Sequence, residues 1–194
     1  MSERIPENNT PLDPDEINGL KLSHVSTRQE LNRWEQDNIL EAFNWLDHQK
    51  AEQLFTEKFI LELHRRMFCN VWTWAGSFRK TNKNIGIDWW EIPVELRKLL
   101  DDVRYWISCR TYEPDELAVR FHHRIVTIHL FPNGNGRHAR LMADIIVEKI
   151  YKENPFTWGS RDLSLADPAR IRYIAALKKA DENDYKDLII FARS

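Results

Sequence analysis

The fold of this chain is decided by the stretch Ile128-His129-Leu130-Phe131-Pro132-Asn133-Gly134-Asn135-Gly136-Arg137-His138-Ala139-Arg140. Apolar residues at helical spacing precede and follow it, so it is predicted to be a turn between two helices. Gly134 and Gly136 allow positive φ and leave no Cβ in the path of a ligand, which lets successive N–H groups converge on an anion. The start of the second helix contributes about half a positive charge. The stretch therefore predicts a phosphate-binding turn.

Charged and polar side chains surround this turn. Arg137 and Arg140 are three residues apart and share one face of the second helix, where two guanidinium groups suit a polyphosphate. His129 ends the first helix, and its ordinary pKa of about 6.5 suits a general base. Phe131 is expected to turn inward, and Asn133 offers one neutral oxygen to a hydrated Mg²⁺. The alternative is a plain glycine turn with solvated arginines and a core histidine, which does not explain why these features occur together.

The stretch resembles the signature of the Fic family, His-x-Phe-x-Asp/Glu-Gly-Asn-Gly-Arg-x-x-Arg, at every fixed position except Asn133 in the acidic slot. The motif is long and its spacing is fixed, so the resemblance is specific. It implies an all-α enzyme that transfers AMP from ATP, with Mg²⁺, to a Ser, Thr or Tyr hydroxyl of a target protein. An amide in place of a carboxylate implies weaker metal binding and slower chemistry, because a full negative charge is missing.

The resemblance also implies a role for each residue of the turn. His129 is the catalytic base that deprotonates the target hydroxyl. The nucleotide phosphates are bound by the residues that follow it, Asn133, Gly134, Asn135, Gly136, Arg137 and Arg140. Kinase-like relatives in the family carry Lys at the position of Gly136, so Gly136 favours adenylyl transfer over phosphoryl transfer.

A second motif lies at the start of a helix predicted over residues 27–50, whose apolar positions include Trp34 and Phe43. One class of Fic proteins has an inhibitory helix with Ser/Thr-x-x-x-Glu-Gly/Asn, whose Glu pairs with the second arginine of the turn. The residues from Ser26 to Asn32 resemble it, with Leu where Gly or Asn is expected. The resemblance implies that Glu30 is inhibitory and pairs with Arg140. The alternative is an exposed carboxylate favoured by the helix dipole.

A β-hairpin is predicted upstream of the turn. Residues 78–81 and 85–88 flank Asn82-Lys83-Asn84, which predicts two short strands leaning on the helices. The position resembles the Fic flap, whose exposed edge aligns a target segment by strand addition. The residues predicted to dock the target are Arg79, Lys80, Thr81, Ile85, Gly86 and Ile87. The alternative is a structural β-corner.

The remaining pattern is helical throughout. Helices are predicted over residues 56–69, 93–110, 114–128, 141–151, 168–179 and 185–191, with Thr56 and Asp167 among their caps. The predicted fold class is all-α, a Fic-type helical bundle with a short β-hairpin flap. Residues 1–26 are predicted to form an N-terminal arm and residues 27–194 the Fic domain, with a candidate inhibitory helix at 27–50. This layout resembles the small bacterial Fic proteins called mobile mystery protein B.

Composition and charge limit the kinds of partner that the protein is expected to bind. The 194 residues suit one domain, and a net charge of −2 gives no basic field for nucleic acid. The two cysteines form no disulfide framework. No apolar run is as long as a membrane span and no signal-peptide core is present, so the prediction is a cytoplasmic protein that does not use a membrane.

The sequence thus predicts a protein adenylyltransferase with ATP as substrate and Mg²⁺ as cofactor. Its partner would be a protein substrate docked on the flap, and auto-modification fits the same chemistry. Two alternatives stay open: a catalytically weak nucleotide-binding interaction protein, and an enzyme that transfers another nucleotide or a phosphoryl group. The sequence sets neither the target protein nor the oligomeric state.

Overall fold

The computed structural model describes residues 14–25, 27–160 and 168–194. Within these ranges the chain forms α-helices and no strand. The helices are α1 (Pro14–Ile17), α2 (Arg28–Leu46), α3 (Glu57–Phe68), α4 (Ile92–Cys109), α5 (Pro114–Ile128), α6 (Asn135–Ile145), α7 (Pro168–Asp181) and α8 (Lys186–Ala192). The all-α prediction is confirmed. Most of the predicted arm over 1–26, Ser26 of the inhibitory motif and the Asp167 cap lie outside the described residues.

Capping residues and prolines mark the starts of four helices, α2 to α5. The Thr27 hydroxyl accepts the Glu30 N–H at 3.2 Å, and the Glu30 carboxylate accepts the Thr27 N–H at 3.1 Å, which completes a capping box at the start of α2. Thr56 caps α3 by accepting the Phe59 N–H at 3.1 Å. Proline stands in the first turn of α4 and of α5, where its missing N–H costs nothing.

The site is held by a central pair of helices. Helix α5 packs against α6, and α4 and α8 pack against α5, while α2 packs on α3. The inner face of α5 is fully buried and includes Leu117, Phe121, Ile125 and Ile128. Helix α6 continues through a π-helical turn over Ile146–Ile150. No helix in the described ranges is both long and apolar enough to cross a bilayer.

Helix α2 departs from the predicted pattern. Trp34 and Phe43, predicted to be apolar packing positions, are 43% and 45% exposed. Two polar residues, Glu35 and Asn38, are buried instead, at 4% and 2%. Asn38 is held by two backbone groups, because its amide donates to Arg66 O at 2.9 Å and its oxygen accepts an N–H at 2.8 Å. Specific hydrogen bonds therefore set the rotation of α2 against its apolar pattern.

The predicted β-hairpin over residues 78–88 is wrong, because this segment is an irregular loop in which neither half forms a strand. Two of its backbone carbonyls accept hydrogen bonds from the Arg79 side chain. Arg79 donates to Thr81 O at 2.8 Å and also to Ile87 O, the carbonyls of residues predicted to lie in opposite strands. The Arg79 N–H donates to Leu130 O at 3.0 Å. The guanidinium thus takes the acceptors that a two-stranded ladder would need. We call residues 79–87 the flap loop.

Candidate active site

His129 is the residue at which α5 ends. Its backbone is left-handed, with φ 57° and ψ 64°, and its N–H donates to Ile125 O at 3.2 Å. This conformation turns the chain out of the helix and into the glycine turn. The residue is only 4% exposed, because Gly86 of the flap loop lies against it: a Cβ added at Gly86 would be 2.6 Å from the His129 Cβ. The flap loop therefore covers the imidazole.

A buried histidine, His64, packs against the turn. The His64 ring stacks on Phe131 at 3.6 Å between centroids, and Phe131 is fully buried as predicted. His64 Nδ1 accepts the Gly76 N–H at 3.0 Å, which leaves Nε2 to donate to Asn133 O at 3.1 Å. The two contacts fix one neutral tautomer. Burial holds the pKa of His64 well below its usual value, with a further contribution from His138, so the imidazole stays neutral.

Two asparagine side chains are used inside the turn. The Asn135 amide oxygen accepts the Phe131 N–H at 2.9 Å, and its nitrogen donates to Phe131 O at 2.7 Å. Asn135 therefore closes the turn onto itself, and its backbone remains the part that faces an anion. The Asn133 side-chain oxygen accepts the Gly134 N–H at 2.7 Å. The oxygen predicted to bind a metal thus already accepts one hydrogen bond.

The described residues contain no group of three His, Cys, Asp or Glu side chains that could hold a metal ion. Asn133 supplies a single neutral oxygen, and one such ligand fits Mg²⁺ only when phosphate oxygens and waters complete its six-fold shell. The donor set therefore matches a metal that arrives with a nucleotide, and it does not form a metal site of its own.

The two arginines of α6 have different surroundings. Arg137 Nη1 lies 2.8 Å from Glu35 Oε2 of α2, and its guanidinium lies 4.7 Å from the centre of the Phe68 ring. The other oxygen of Glu35 accepts the Trp72 indole N–H at 2.7 Å. Arg140 lies over the Tyr173 ring at 5.7 Å. The acidic partner of the turn that this structure reveals is therefore Glu35, which the sequence analysis missed.

Glu30, predicted to be inhibitory, lies one turn earlier on α2. Its carboxylate belongs to the capping box with Thr27, which is a local structural role. Its predicted pairing with Arg140 stays a prediction. The sequence does hold a signal for Glu35, since it lies four residues after Leu31 and seven before Ala42 on one face of the helix. A carboxylate inside an apolar stripe needs a cationic partner.

Buried histidines dominate the electrostatics. Burial, with smaller contributions from the nearby charges of Arg79 and Lys83, lowers the pKa of His129 to about 4. Burial likewise lowers the pKa of His138 to about 4 and that of His122 to about 3. Asp144, one turn after Arg140, is shifted the other way: burial raises its pKa to about 7 against hydrogen bonds from the Trp158 indole and the Phe156 N–H.

The two glycines of the turn should respond differently to alanine. Gly134 has φ 77°, and a Cβ there would lie 2.7 Å from the Phe68 ring, so Gly134→Ala should cost about 2–4 kcal/mol in the free energy of unfolding. Gly136 has ordinary helical backbone, and its Cβ would meet only Arg140 Nη1, at 3.6 Å. Gly136→Ala should therefore stabilise the helix slightly, by up to about 1 kcal/mol.

Urea unfolding and nucleotide titration of both variants check this difference. If the turn binds phosphates as the sequence predicts, Gly136→Ala should keep the fold and weaken binding of an ATP analogue at least tenfold, because its methyl group would obstruct the backbone N–H groups. Unchanged binding in Gly136→Ala would mean that no ligand comes close to that amide.

The fold and the site together define a helical protein with a histidine at a helix end and a glycine turn directly after it. Residues 54–147 match the family model described as the Fic/DOC family. The chain therefore belongs to the Fic/DOC family, as the motif predicted.

Two curated relatives carry the name of the same family. Protein adenylyltransferase fic-1 of Caenorhabditis elegans is 31% identical over 134 residues, which cover 67% of this chain and 25% of the relative. Protein adenylyltransferase Fic of Drosophila grimshawi is 30% identical over 147 residues, which cover 74% of this chain and 28% of the relative. The chain thus spans about a quarter of the length of these relatives.

Solved structures share the fold. A structure of Fic-1 from C. elegans has a TM-score of 0.65 at 24% identity and covers 91% of this chain and 50% of that one. The BepC protein of Bartonella tribocorum, solved with bound AMPPNP, has a TM-score of 0.67 at 16% identity and covers 93% of this chain and 97% of that one. The similarity to BepC extends over nearly the whole of both chains.

Proposed function

We propose that this protein is a protein adenylyltransferase. The observation that supports this most directly is the position of His129, a neutral imidazole at the end of α5 that leads straight into a glycine turn and the arginine-bearing start of α6. The names of the curated relatives support the same activity. The compartment we propose is the cytoplasm, where ATP is available.

In the proposed reaction a target hydroxyl attacks the α-phosphorus of ATP. The new bond joins the hydroxyl oxygen to the α-phosphorus, the bond from the α-phosphorus to the α–β bridging oxygen breaks, and pyrophosphate leaves. His129 accepts the hydroxyl proton. The product is a phosphodiester between the target side chain and AMP.

The electrostatics of His129 suit this role. A pKa of about 4, set by burial and by Arg79, keeps the imidazole neutral and able to accept a proton at pH 7. A bound triphosphate would add several negative charges beside the ring, which raises the pKa toward the working pH. The base therefore gains proton affinity when its substrate is present.

The phosphates would be held by groups of α6 and the turn. The backbone N–H groups at the start of α6 form the anion site, and Arg137 and Arg140 add two guanidinium groups on the same helix. Bound Mg²⁺ would supply charge neutralisation to the phosphates, with Asn133 as its one protein ligand. To contact a phosphate, Arg137 must either break its ion pair with Glu35 or keep that pair and donate from its other N–H groups.

The partner we propose is a protein segment docked on the flap loop. Lys80, Thr81, Ile85 and Gly86 are exposed there, next to the covered His129. An extended segment laid along this loop would bring a hydroxyl close to the base, which is the proximity that the reaction requires. Arg79 takes no direct part in docking, because its side chain is 1% exposed. Auto-modification would use the same site.

A nucleotide-binding interaction protein remains the second candidate, because Asn133 replaces the expected acidic residue. Labelled nucleotide separates the candidates. Incubation with ATP labelled at the α-phosphate should mark protein, whereas the γ-label should not. Replacing His129 by alanine should reduce the α-label by about 10²–10⁴-fold, the range for a general base. A γ-label would indicate a kinase, and no label with retained nucleotide binding would indicate a binder.

The inhibitory role of Glu30 is tested by the same assay. We propose that Glu30→Gly increases auto-modification and ATP binding if its carboxylate restrains Arg140. Glu30→Gln is the control for its cap, since it keeps an acceptor for the Thr27 N–H. Equal labelling in wild type and both variants would leave Glu30 with its capping role alone.

A further inference from the structure

Arg79 is the largest fully buried side chain of the described residues, at 1% exposure. A buried guanidinium is costly unless its donors are satisfied. Its Nε donates to His129 O at 2.6 Å and one Nη donates to Ile128 O at 3.4 Å. The same Nη also donates to Ile87 O, and the other Nη donates to Thr81 O at 2.8 Å. Backbone carbonyls from two different parts of the chain therefore surround it.

Two of these carbonyls belong to the end of α5, and the other two belong to the flap loop. Ile128 and His129 provide the last carbonyls of α5, the negative end of the helix dipole, where a cation is stabilised. Thr81 and Ile87 lie near the two ends of the flap loop, so one guanidinium holds this loop by both ends. Gly86 lies between them and packs against the His129 Cβ. The base and the loop that covers it are joined through Arg79.

We propose that Arg79 is a positioning residue that fixes the distance between the imidazole of His129 and the flap loop. The proposal rests on the proposed function, because the loop is taken to align the target hydroxyl. Arg79 touches the backbone of His129 and needs no contact with substrate. It acts by holding the two backbones at one separation, which is the condition for a hydroxyl docked on the loop to reach the base.

Only a planar fork can make these contacts together. A guanidinium has five N–H donors in one plane, so it can reach carbonyls on opposite sides at once. The lysine ammonium has three donors on a flexible stem and keeps the charge without the fork. Arg79→Lys therefore separates geometry from charge, and Arg79→Met removes both while keeping an unbranched aliphatic stem.

The charge of Arg79 has its own readout. Arg79 and Lys83 are charged groups that act on His129, and both lower its pKa after the larger effect of burial. Asp88 and Glu16 act on Arg79 itself from the loop and from α1. Nuclear magnetic resonance titration of the His129 ring in the full chain reports this charge directly, with or without any activity.

Three measurements test the proposal on Arg79→Lys and Arg79→Met. We expect Arg79→Lys to keep the pKa of His129 close to the wild-type value, and Arg79→Met to raise it by roughly one pH unit, since a nearby cation is lost. Both should increase amide hydrogen exchange of residues 80–88 at least tenfold. In the α-label assay both should lower kcat about 100-fold with little change in KM for ATP.

Arg104 provides a control, because it also donates to a backbone carbonyl, Phe55 O, and its side chain is half exposed. Arg104→Lys should change none of the three readouts. If Arg79→Met does not fold, Gly86→Ala tests the same link from the other side, because its methyl group would push the loop from His129 and should also lower kcat.

Wild-type exchange over residues 80–88 and wild-type kcat in Arg79→Lys would overturn the proposal. So would an unchanged pKa of His129 in Arg79→Met. If wild-type protein transfers no label at all, the proposed function fails, yet the titration and the exchange experiment still decide whether Arg79 joins His129 to the flap loop.

Discussion

Replacing Glu35 by alanine is expected to lower the free energy of unfolding by about 3–4 kcal/mol, as for other buried ion pairs that lose one partner. The carboxylate is 4% exposed and serves two groups at once, the Arg137 guanidinium at 2.8 Å and the Trp72 indole N–H at 2.7 Å. Alanine would leave both without this acceptor in a largely buried place. Chemical denaturation followed by tryptophan fluorescence measures the loss.

Glu35→Gln is the matched variant, because it can still accept the Trp72 N–H while the charge is removed. It should lose less than half as much stability as the alanine variant. On the proposed function it should also bind an ATP analogue about tenfold more tightly, since Arg137 is no longer neutralised by a carboxylate. Equal or weaker binding in Glu35→Gln would show that Arg137 is not a phosphate ligand.

Mild acid is expected to destabilise the protein. His122, His129 and His138 have pKa values of about 3, 4 and 4 in the folded state, below the usual value of 6.5. The unfolded chain therefore binds more protons than the folded one once the pH falls below about 6.5, and stability is lost. Each of these histidines should cost about 1.3 kcal/mol between pH 7.5 and pH 5.5.

Asp144 acts in the opposite direction. Its folded pKa of about 7 exceeds the usual 3.8, so its protonation favours the folded state as the pH falls. Its protonation should stabilise the folded state by about 2 kcal/mol between pH 7.5 and pH 5.5. His64, whose pKa is held well below its usual value by burial, adds to the loss. The net expectation is a decrease of at least about 2 kcal/mol.

Denaturation curves at pH 7.5 and pH 5.5 measure this decrease. Asp144→Asn should make the acid loss larger, because the compensating carboxyl is removed. Equal stability at both pH values in the wild type would mean that the buried histidines open to solvent easily.

Local signals made much of the fold predictable. Thr56 caps the helix that it was predicted to cap, and Pro114 opens α5 as predicted. The motif places His129 at the end of that helix, where the structure has it. These features depend on hydrogen bonds and dihedral preferences within a few residues, which a sequence displays directly.

The features that sequence reasoning missed depend on distant partners. The flap loop has the alternation of a hairpin, but Arg79 binds its carbonyls only because the end of α5 lies beside it. Glu35 is buried because Arg137, far away in sequence, meets it across the helix packing. Trp34 faces outward for the same reason, since α2 rotates to bury Glu35 and Asn38. Contacts of this kind override local pattern and composition.

The left-handed backbone of His129 has an evolutionary consequence. Main-chain groups help to fix its position, because its N–H donates to Ile125 O and its carbonyl accepts from Arg79. Asparagine and aspartate adopt this conformation readily, so a single codon change could remove the imidazole while the backbone of the turn keeps its conformation. On the proposed function, one substitution of His129 could turn an enzyme of this fold into a pseudoenzyme. The reverse substitution could restore catalysis.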